Sequence, residues 1–260
     1  MNDLKTSSGE STELGAGSST AVDQRAARVA ASIGAARAAG RRTLDEASCK
    51  AIVSEYGLAV PRGVRVGGPD DVAQAMTTLV PPVVLKIVSP DIVHKSDFGG
   101  VRTRLSEASE VIAAMADMTA RARAAACRVD GFLLEETAPA GHELVIGAVR
   151  DDNFGWMLMF GMGGVLVEYL HDVAFRICPI TRLDAVEMID EPKASALLAG
   201  ARGATRADRD ALIAALLAIG GEHGLLAECG EHVRELDLNP VIASERAVVA
   251  VDARIILTDD

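Results

Sequence analysis

A single lysine interrupts an apolar, β-branched run, Val83-Val84-Leu85-Lys86-Ile87-Val88. Such a run reads as a buried strand, and burying an ammonium without a partner is costly. Any fold for this chain must therefore give Lys86 an anion, a cleft to line, or an edge strand from which it snorkels to water. The next residues, Ser89-Pro90-Asp91-Ile92-Val93-His94-Lys95-Ser96-Asp97-Phe98-Gly99-Gly100, form a polar loop that ends in paired glycines. Residues 101–105 return as a strand.

Around this pair of strands the pattern alternates. Residues 24–42 read as a weakly amphipathic Ala/Arg-rich helix. Thr43-Leu44-Asp45-Glu46 reads as a capping box that opens a helix to about Tyr56, stopped by Gly57. A strand follows near residues 60–66, and a helix starts near Pro69 with Val72, Ala75, Met76 and Leu79 on one face. A long helix is predicted over 109–126, and strands over 131–136, 143–149 and 156–160. A helical block covers 182–220, and two last strands, 233–238 and 247–257, flank a turn at Asn239-Pro240. No internal repeat is evident, and no strict βαβ rhythm appears. The pattern predicts an α+β fold with helices packed on one face of each sheet. Residues 1–23 are rich in Ser, Gly, Thr and acid and are expected to form a disordered tail.

The charge balance narrows the function. With 26 Lys and Arg against 37 Asp and Glu, the net charge is -11, which argues against a nucleic-acid-binding surface. The four cysteines are widely spaced without a C-x-x-C pair, so neither a zinc site nor a disulfide framework is indicated and a reducing cytoplasm is expected. The longest apolar run, residues 211–221, is too short to span a bilayer, and no membrane association is expected.

Four further features carry chemistry. The 89–100 loop places a histidine, a lysine, a hydroxyl and two glycines shortly after Lys86, and glycines allow backbone N–H groups to approach phosphate. It is not a Walker A motif. Phe132-Leu133-Leu134-Glu135-Glu136-Thr137, then Gly141-His142-Glu143, is an acid-ended strand and turn suited to an adenosine site, or else a plain hairpin with solvated carboxylates. Phe160-Gly161-Met162-Gly163-Gly164-Val165, followed by Glu168 and Arg176, is a glycine-rich turn. Glu235-Leu236-Asp237-Leu238-Asn239-Pro240, with Asp252 on the next strand, puts Glu235, Asp237 and Asn239 on one strand face. Oxygen ligands of this kind suit Mg²⁺, although a solvent-facing edge would look the same.

The order of these features resembles the ATP-grasp fold, and most closely the β subunit of ADP-forming acyl-CoA (acetyl-CoA type) synthetases. The stretches VVLKIVSPDIVHKSDFGGV, ELVIG, FGMGGVLVEYLHDVAFR and ELDLNPVI carry the resemblance over roughly residues 40–257. The succinyl-CoA synthetase β subunit is a more distant likeness. The resemblance implies two lobes with the nucleotide cleft between them: a small lobe of approximately residues 60–135, and a larger one formed by 24–59 and 136–260.

By the same resemblance, Lys86 would bind the phosphates of ATP or ADP and the loop of Ser96, Gly99 and Gly100 would cover them. Glu135, Glu136 and Thr137 would form the hinge at the adenine, with Glu143 near the ribose and Arg176 at the γ-phosphate. Asn239 and Asp252 would hold Mg²⁺, with Asp237 acting through water. His94 would be a phosphohistidine that exchanges phosphate with a histidine on a partner. That partner is an α-type subunit carrying the CoA site, since no CoA-binding region is visible here, and a hetero-oligomer is expected. Thr137 departs from the family, which often has methionine there. Two other readings are a stand-alone ATP-grasp carboxylate ligase, which needs no phosphohistidine, and a non-catalytic nucleotide-sensing subunit, against which the presence of Lys86, His94, Asn239 and Asp252 argues.

Overall fold

The computed structural model describes residues 16–163 and 172–259. Helix α1 (Ala16–Ala38) begins within the segment expected to be a disordered tail, and residues 1–15 lie outside the described residues. Helix α2 (Glu46–Glu55) is capped by Asp45, whose side chain accepts from the Ser48 amide. The helix therefore starts two residues later than a box at Thr43 would have it. Thr43 instead bridges to Ile256, and Glu46 is left at the first helical position, turned inward.

The chain then builds a four-stranded antiparallel sheet from β1 (Gly63–Val66), β2 (Val83–Val88), β3 (Val101–Leu105) and β4 (Gly131–Glu136), in the order β1-β4-β2-β3. Helices α3 (Pro69–Thr78) and α5 (Ala108–Ala124) cover one face. Val72, Met115 and Met118 pack there on Leu85, Ile87, Phe132 and Leu134. The single turn α4 (Lys95–Phe98) lies in the β2–β3 connection, where the sequence reads as loop.

A second sheet takes in β5 (His142–Asp151), β6 (Gly155–Met162), β7 (Val173–Ile177), β8 (Val233–Ala243), β9 (Val248–Ala250) and β10 (Arg254–Leu257). Its order is β10-β8-β5-β6-β7, with β9 paired to β8. Helices α6 (Arg182–Asp190), α7 (Ser195–Leu198), α8 (Arg209–Gly220) and α9 (Leu225–Cys229) complete this part. Leu144, Ile146, Leu158, Phe160 and Leu236 meet Met188, Ile189, Leu212 and Leu216 in one core, joined by Val29 and Ile33 of α1 and Ile52 and Val53 of α2. The two apolar clusters are separate, one per sheet. The α+β expectation holds. Asn239-Pro240 is not a turn between strands: it lies inside β8, where the register against β5 shifts between Leu144 and Ile146.

Glycine is required where the histidine-bearing loop rejoins β3. A Cβ at Gly100 would lie 2.5 Å from Ile87 Cγ2 and 3.2 Å from the Lys95 carbonyl oxygen. Gly100→Ala is expected to cost about 1–3 kcal/mol, read as a lower midpoint in urea unfolding at unchanged slope.

Candidate functional site

Lys86 is on neither an edge nor a solvent-facing strand, since β2 is interior. It meets anions. Its Nζ lies 2.5 Å from Glu46 Oε1, 3.0 Å from Glu135 Oε2 and 2.6 Å from the Val251 carbonyl oxygen. Glu135 in turn takes Lys50 Nζ at 2.6 and 2.7 Å through its two oxygens, and Lys50 lies 2.7 Å from Glu46. Lys95 Nζ reaches Glu46 Oε2 at 2.5 Å and Asp252 Oδ1 at 3.0 Å. Lys50, Lys86 and Lys95 thus face Glu46, Glu135 and Asp252, three charges of each sign.

Glu46, Lys50, Lys86 and Glu135 are only 8, 3, 4 and 2 % exposed, so each depends on the others for solvation. Burial opposes ionisation of Glu46, but the charges of Lys86, Lys95 and Lys50 outweigh it and hold the carboxyl far below the usual carboxylate range. Burial likewise works against the Lys86 ammonium, and Glu46, Glu135 and Asp252 overcome it, holding that group above the usual lysine range. Lys95 is raised in the same way, by Glu46 and Asp252 against burial. Lys50 differs: burial and the Lys86 charge pull it down despite Glu46 and Glu135.

The cluster joins the two sheets, because Lys86 and Glu135 belong to the smaller sheet while Glu46, Lys50 and Asp252 belong to the part built around the larger one. Val251 closes the circuit, since its amide donates to the Pro240 carbonyl oxygen at 3.0 Å and its own carbonyl accepts from Lys86. The segment holding Asn239 is thereby brought close to Lys86.

One face of the larger sheet remains open. Cross-strand partners share a face, so Arg254, Asp237, Gly147, Met159 and Phe175 form one row and Glu235, Val149, Met157 and Ile177 a second. The opposite face carries Leu236, Ala148 and Leu158, all buried. Asn239 and Glu143 are exposed and alternate onto the open face with Asp237. Burial raises the Asp237 carboxyl, opposed by Arg254 and reinforced by Glu235 and Asp252. Carboxylates standing close together beside an exposed amide oxygen suit a divalent cation. Among the described residues no three His, Cys, Asp or Glu side chains form a metal cage. Mg²⁺ binds through one or two protein carboxylates together with substrate phosphate oxygens. The donor set of Asn239, Asp252 and Asp237 therefore fits the ion.

Other expected contacts are placed differently. Arg176 pairs with Leu158, on the face opposite Asp237, and its guanidinium bonds Glu191 at 2.8 Å and Glu187 at 3.3 Å. It is not part of the open-face group, because one step along a strand reverses a side chain. The Gly99 and Gly100 amides donate to the carbonyls of Ser96 and Lys95, closing α4, at 3.0 and 2.7 Å. They are not free donors for phosphate in this state. Ser96 is exposed. Glu135 turns its carboxylate to Lys50 and Lys86. Glu136 binds Arg62 and the Val80 amide, and Thr137 Oγ1 donates to the Pro82 carbonyl oxygen. Residues 137–141 do connect the two sheets. Gly164, Val165 and Glu168 lie outside the described residues.

Glu46 and Lys50 are the site residues the sequence reading missed. They stand one helical turn apart in a stripe with Cys49, Ile52 and Val53 that α2 buries. Two opposite charges at that spacing inside a buried stripe are the signal that marks them.

The fold agrees with the comparisons. The ATP-grasp domain model matches residues 35–257. The chain belongs to the ATP-grasp family. It is 40% identical over 221 residues to subunit beta of acetate–CoA ligase (ADP-forming) I from Pyrococcus furiosus, covering 84% of this chain and 94% of that one. A longer relative, acetate–CoA ligase (ADP-forming) I of Archaeoglobus fulgidus, is 41% identical over 80% of this chain but only 30% of its own length. A solved structure of the Ca. Korarchaeum cryptofilum acetyl-coenzyme A synthetase 1 superposes with a TM-score of 0.75 at 40% identity, over 88% of this chain and 100% of that one. That structure holds coenzyme A and Mg-AMPPCP, with its phosphohistidine segment pointing towards the nucleotide binding site. The same enzyme is also known with a phosphorylated segment in a site I orientation.

Glu46→Gln removes the anion shared by three lysines. It is expected to cost about 3–5 kcal/mol near neutral pH, as for a broken buried pair. A depressed carboxylate stabilises the fold above its unfolded value of about 4.3, and that stability is lost as pH falls toward the folded value. In urea titrations the gap between wild type and Glu46→Gln should therefore narrow below about pH 4.

Proposed function

We propose that this chain is the nucleotide-binding, phosphoryl-transferring β subunit of an ADP-forming acyl-CoA synthetase, which converts a carboxylic acid, CoA and ATP into acyl-CoA, ADP and phosphate. The observation that carries the reading is the position of His94. It is exposed at the start of α4, with no capping bond of its own, and the next side chain is tied to Glu46 and Asp252. An exposed imidazole therefore stands next in the chain to a member of the charged cluster, on a chain that matches a β subunit over 94% of that subunit's length.

In this mechanism His94 accepts a phosphoryl group on a ring nitrogen, from a partner's phosphohistidine or from ATP. Toward ATP, the N–P bond of phospho-His94 breaks as a terminal oxygen of ADP forms the new P–O bond, and the imidazole takes up a proton. Such transfers depend on positioning and on cations around the phosphoryl oxygens. Lys86 supplies one, fixed by Glu46 and Glu135. Bound Mg²⁺, held by Asn239 and Asp252 with Asp237 behind them, would neutralise phosphate charge. Residues 137–141 act as the hinge beside the adenine. The acid-binding and CoA-binding sites belong to an α-type partner with its own phosphorylatable histidine, in a hetero-oligomer. The four free cysteines and the lack of a membrane-crossing helix among the described residues fit a cytoplasmic enzyme.

Incubated with its partner, acyl-CoA and labelled phosphate, the chain should acquire acid-labile, base-stable label. His94→Ala should abolish both the label on this chain and ATP formation, while Mg-ATP binding by calorimetry stays within about twofold. ATP synthesis by the alanine variant at near wild-type rates would remove the assignment. Asp252→Asn should weaken Mg-nucleotide binding at least tenfold more than metal-free nucleotide binding, as expected for a metal ligand. Equal effects on both would count against that role.

A further inference from the structure

His94 and Lys95 are neighbours in sequence with opposite surroundings. His94 faces solvent. Lys95 reaches inward to Glu46 Oε2 at 2.5 Å and Asp252 Oδ1 at 3.0 Å. The other bonds of this segment are local. The Phe98 amide donates to the His94 carbonyl oxygen at 3.1 Å, and the Gly99 and Gly100 amides close α4. Asp91 accepts from the Arg128 amide at 2.7 Å, within the small-sheet part. Among the described residues, every ion pair and hydrogen bond from residues 91–100 to the larger-sheet part comes from the Lys95 ammonium.

We propose that Lys95 is a positioning residue, a latch that the metal of Mg-nucleotide opens. This rests on the reading of Asp252 as a metal ligand. In the nucleotide-free chain Lys95 stands in for the cation at Asp252 and pins the histidine segment to the larger-sheet part. A divalent ion about 2.0–2.1 Å from a ligating oxygen cannot share that oxygen with an ammonium without close repulsion between cations. Seating the metal therefore displaces Lys95. The remaining anion, Glu46, is already divided among Lys50, Lys86 and Lys95, so it holds the segment more weakly. The segment becomes free to turn when the nucleotide and metal are in place. The latch thereby couples occupancy of one site to the mobility of the group that must visit it.

The test is amide hydrogen exchange of Phe98, Gly99 and Gly100 in the full-length chain, with and without Mg-ADP, alongside calorimetry of Mg-ADP binding on the same samples. Wild type should exchange these amides slowly when nucleotide-free and about tenfold faster with Mg-ADP, but not with metal-free ADP. Lys95→Met and Asp252→Asn should each show the fast rate without nucleotide. The double variant should be no faster than either single one, as expected for two partners of one bond. Lys95→Arg, which keeps the charge, should restore part of the protection. Slow exchange in Lys95→Met, or additive effects in the double variant, would overturn the latch. Mg-ADP binding with no change in exchange would also overturn it, leaving the proposed function standing. A chain that binds no Mg-ADP at all would overturn the proposed function and the trigger of the latch together.

Discussion

The carboxylate of Glu46, sunk in the protein and shared by three lysines, is the constraint around which the molecule is arranged. An ammonium within an interior strand is tolerable only with an anion at contact distance, and Lys86 finds its anion on a helix from the other sheet. That requirement brings α2 against the exposed face of the smaller sheet. Glu135 completes the pairing from β4, and Lys50 balances the second carboxylate. The two apolar cores are separate, so this polar seam, not a continuous hydrophobic one, sets how the sheets face each other. A seam of exchangeable charges lets phosphates and a divalent ion enter by replacing one partner with another, which an oily seam could not do.

The open face of the larger sheet has a polar end and an apolar end. Asp237, Asn239 and Glu235 stand on β8, and Gly147, with the Met159 methyl over it, is the cross-strand partner of Asp237. Farther along the rows Val149, Phe175 and Ile177 are exposed. Burying Asp237 near the charges of Glu235 and Asp252 raises the free energy of the empty site. Active sites commonly hold such unfavourable arrangements for the sake of what they bind.

Much of this was legible from residue order. The strand around Lys86, the strand carrying Glu235, Asp237 and Asn239, and the helix-on-sheet layering follow from hydrophobic period and from where acids interrupt it. The setting of Lys86 narrowed it to a paired cation, a cleft lining or an edge position, and Asp252 came from the resemblance, in the order asparagine then aspartate. The partners of Lys86 were not legible, because Glu46 lies 40 residues away and its neighbours at Thr43 and Asp45 imitate an ordinary helix start. Asp45 took the capping role and released Glu46 to the interior. The role of Arg176 failed for a different reason. Motif spacing gives the strand but not the face, and β7 turns Arg176 toward α6. The paired glycines suggested free amides, whereas the turn they end consumes both.

Gly63 and Glu135 are register partners in the smaller sheet. The residue at which the chain enters this unit therefore sits beside one of the last from which it departs. A unit whose two ends touch can be added to, or removed from, a host without stretching it. The smaller sheet is in that sense a cassette, set between a helix and a sheet that pack on each other without it. Exchange of such a cassette would leave the acidic strand β8 in place. Only its charged underside, at Lys86 and Glu135, would have to stay matched to the host.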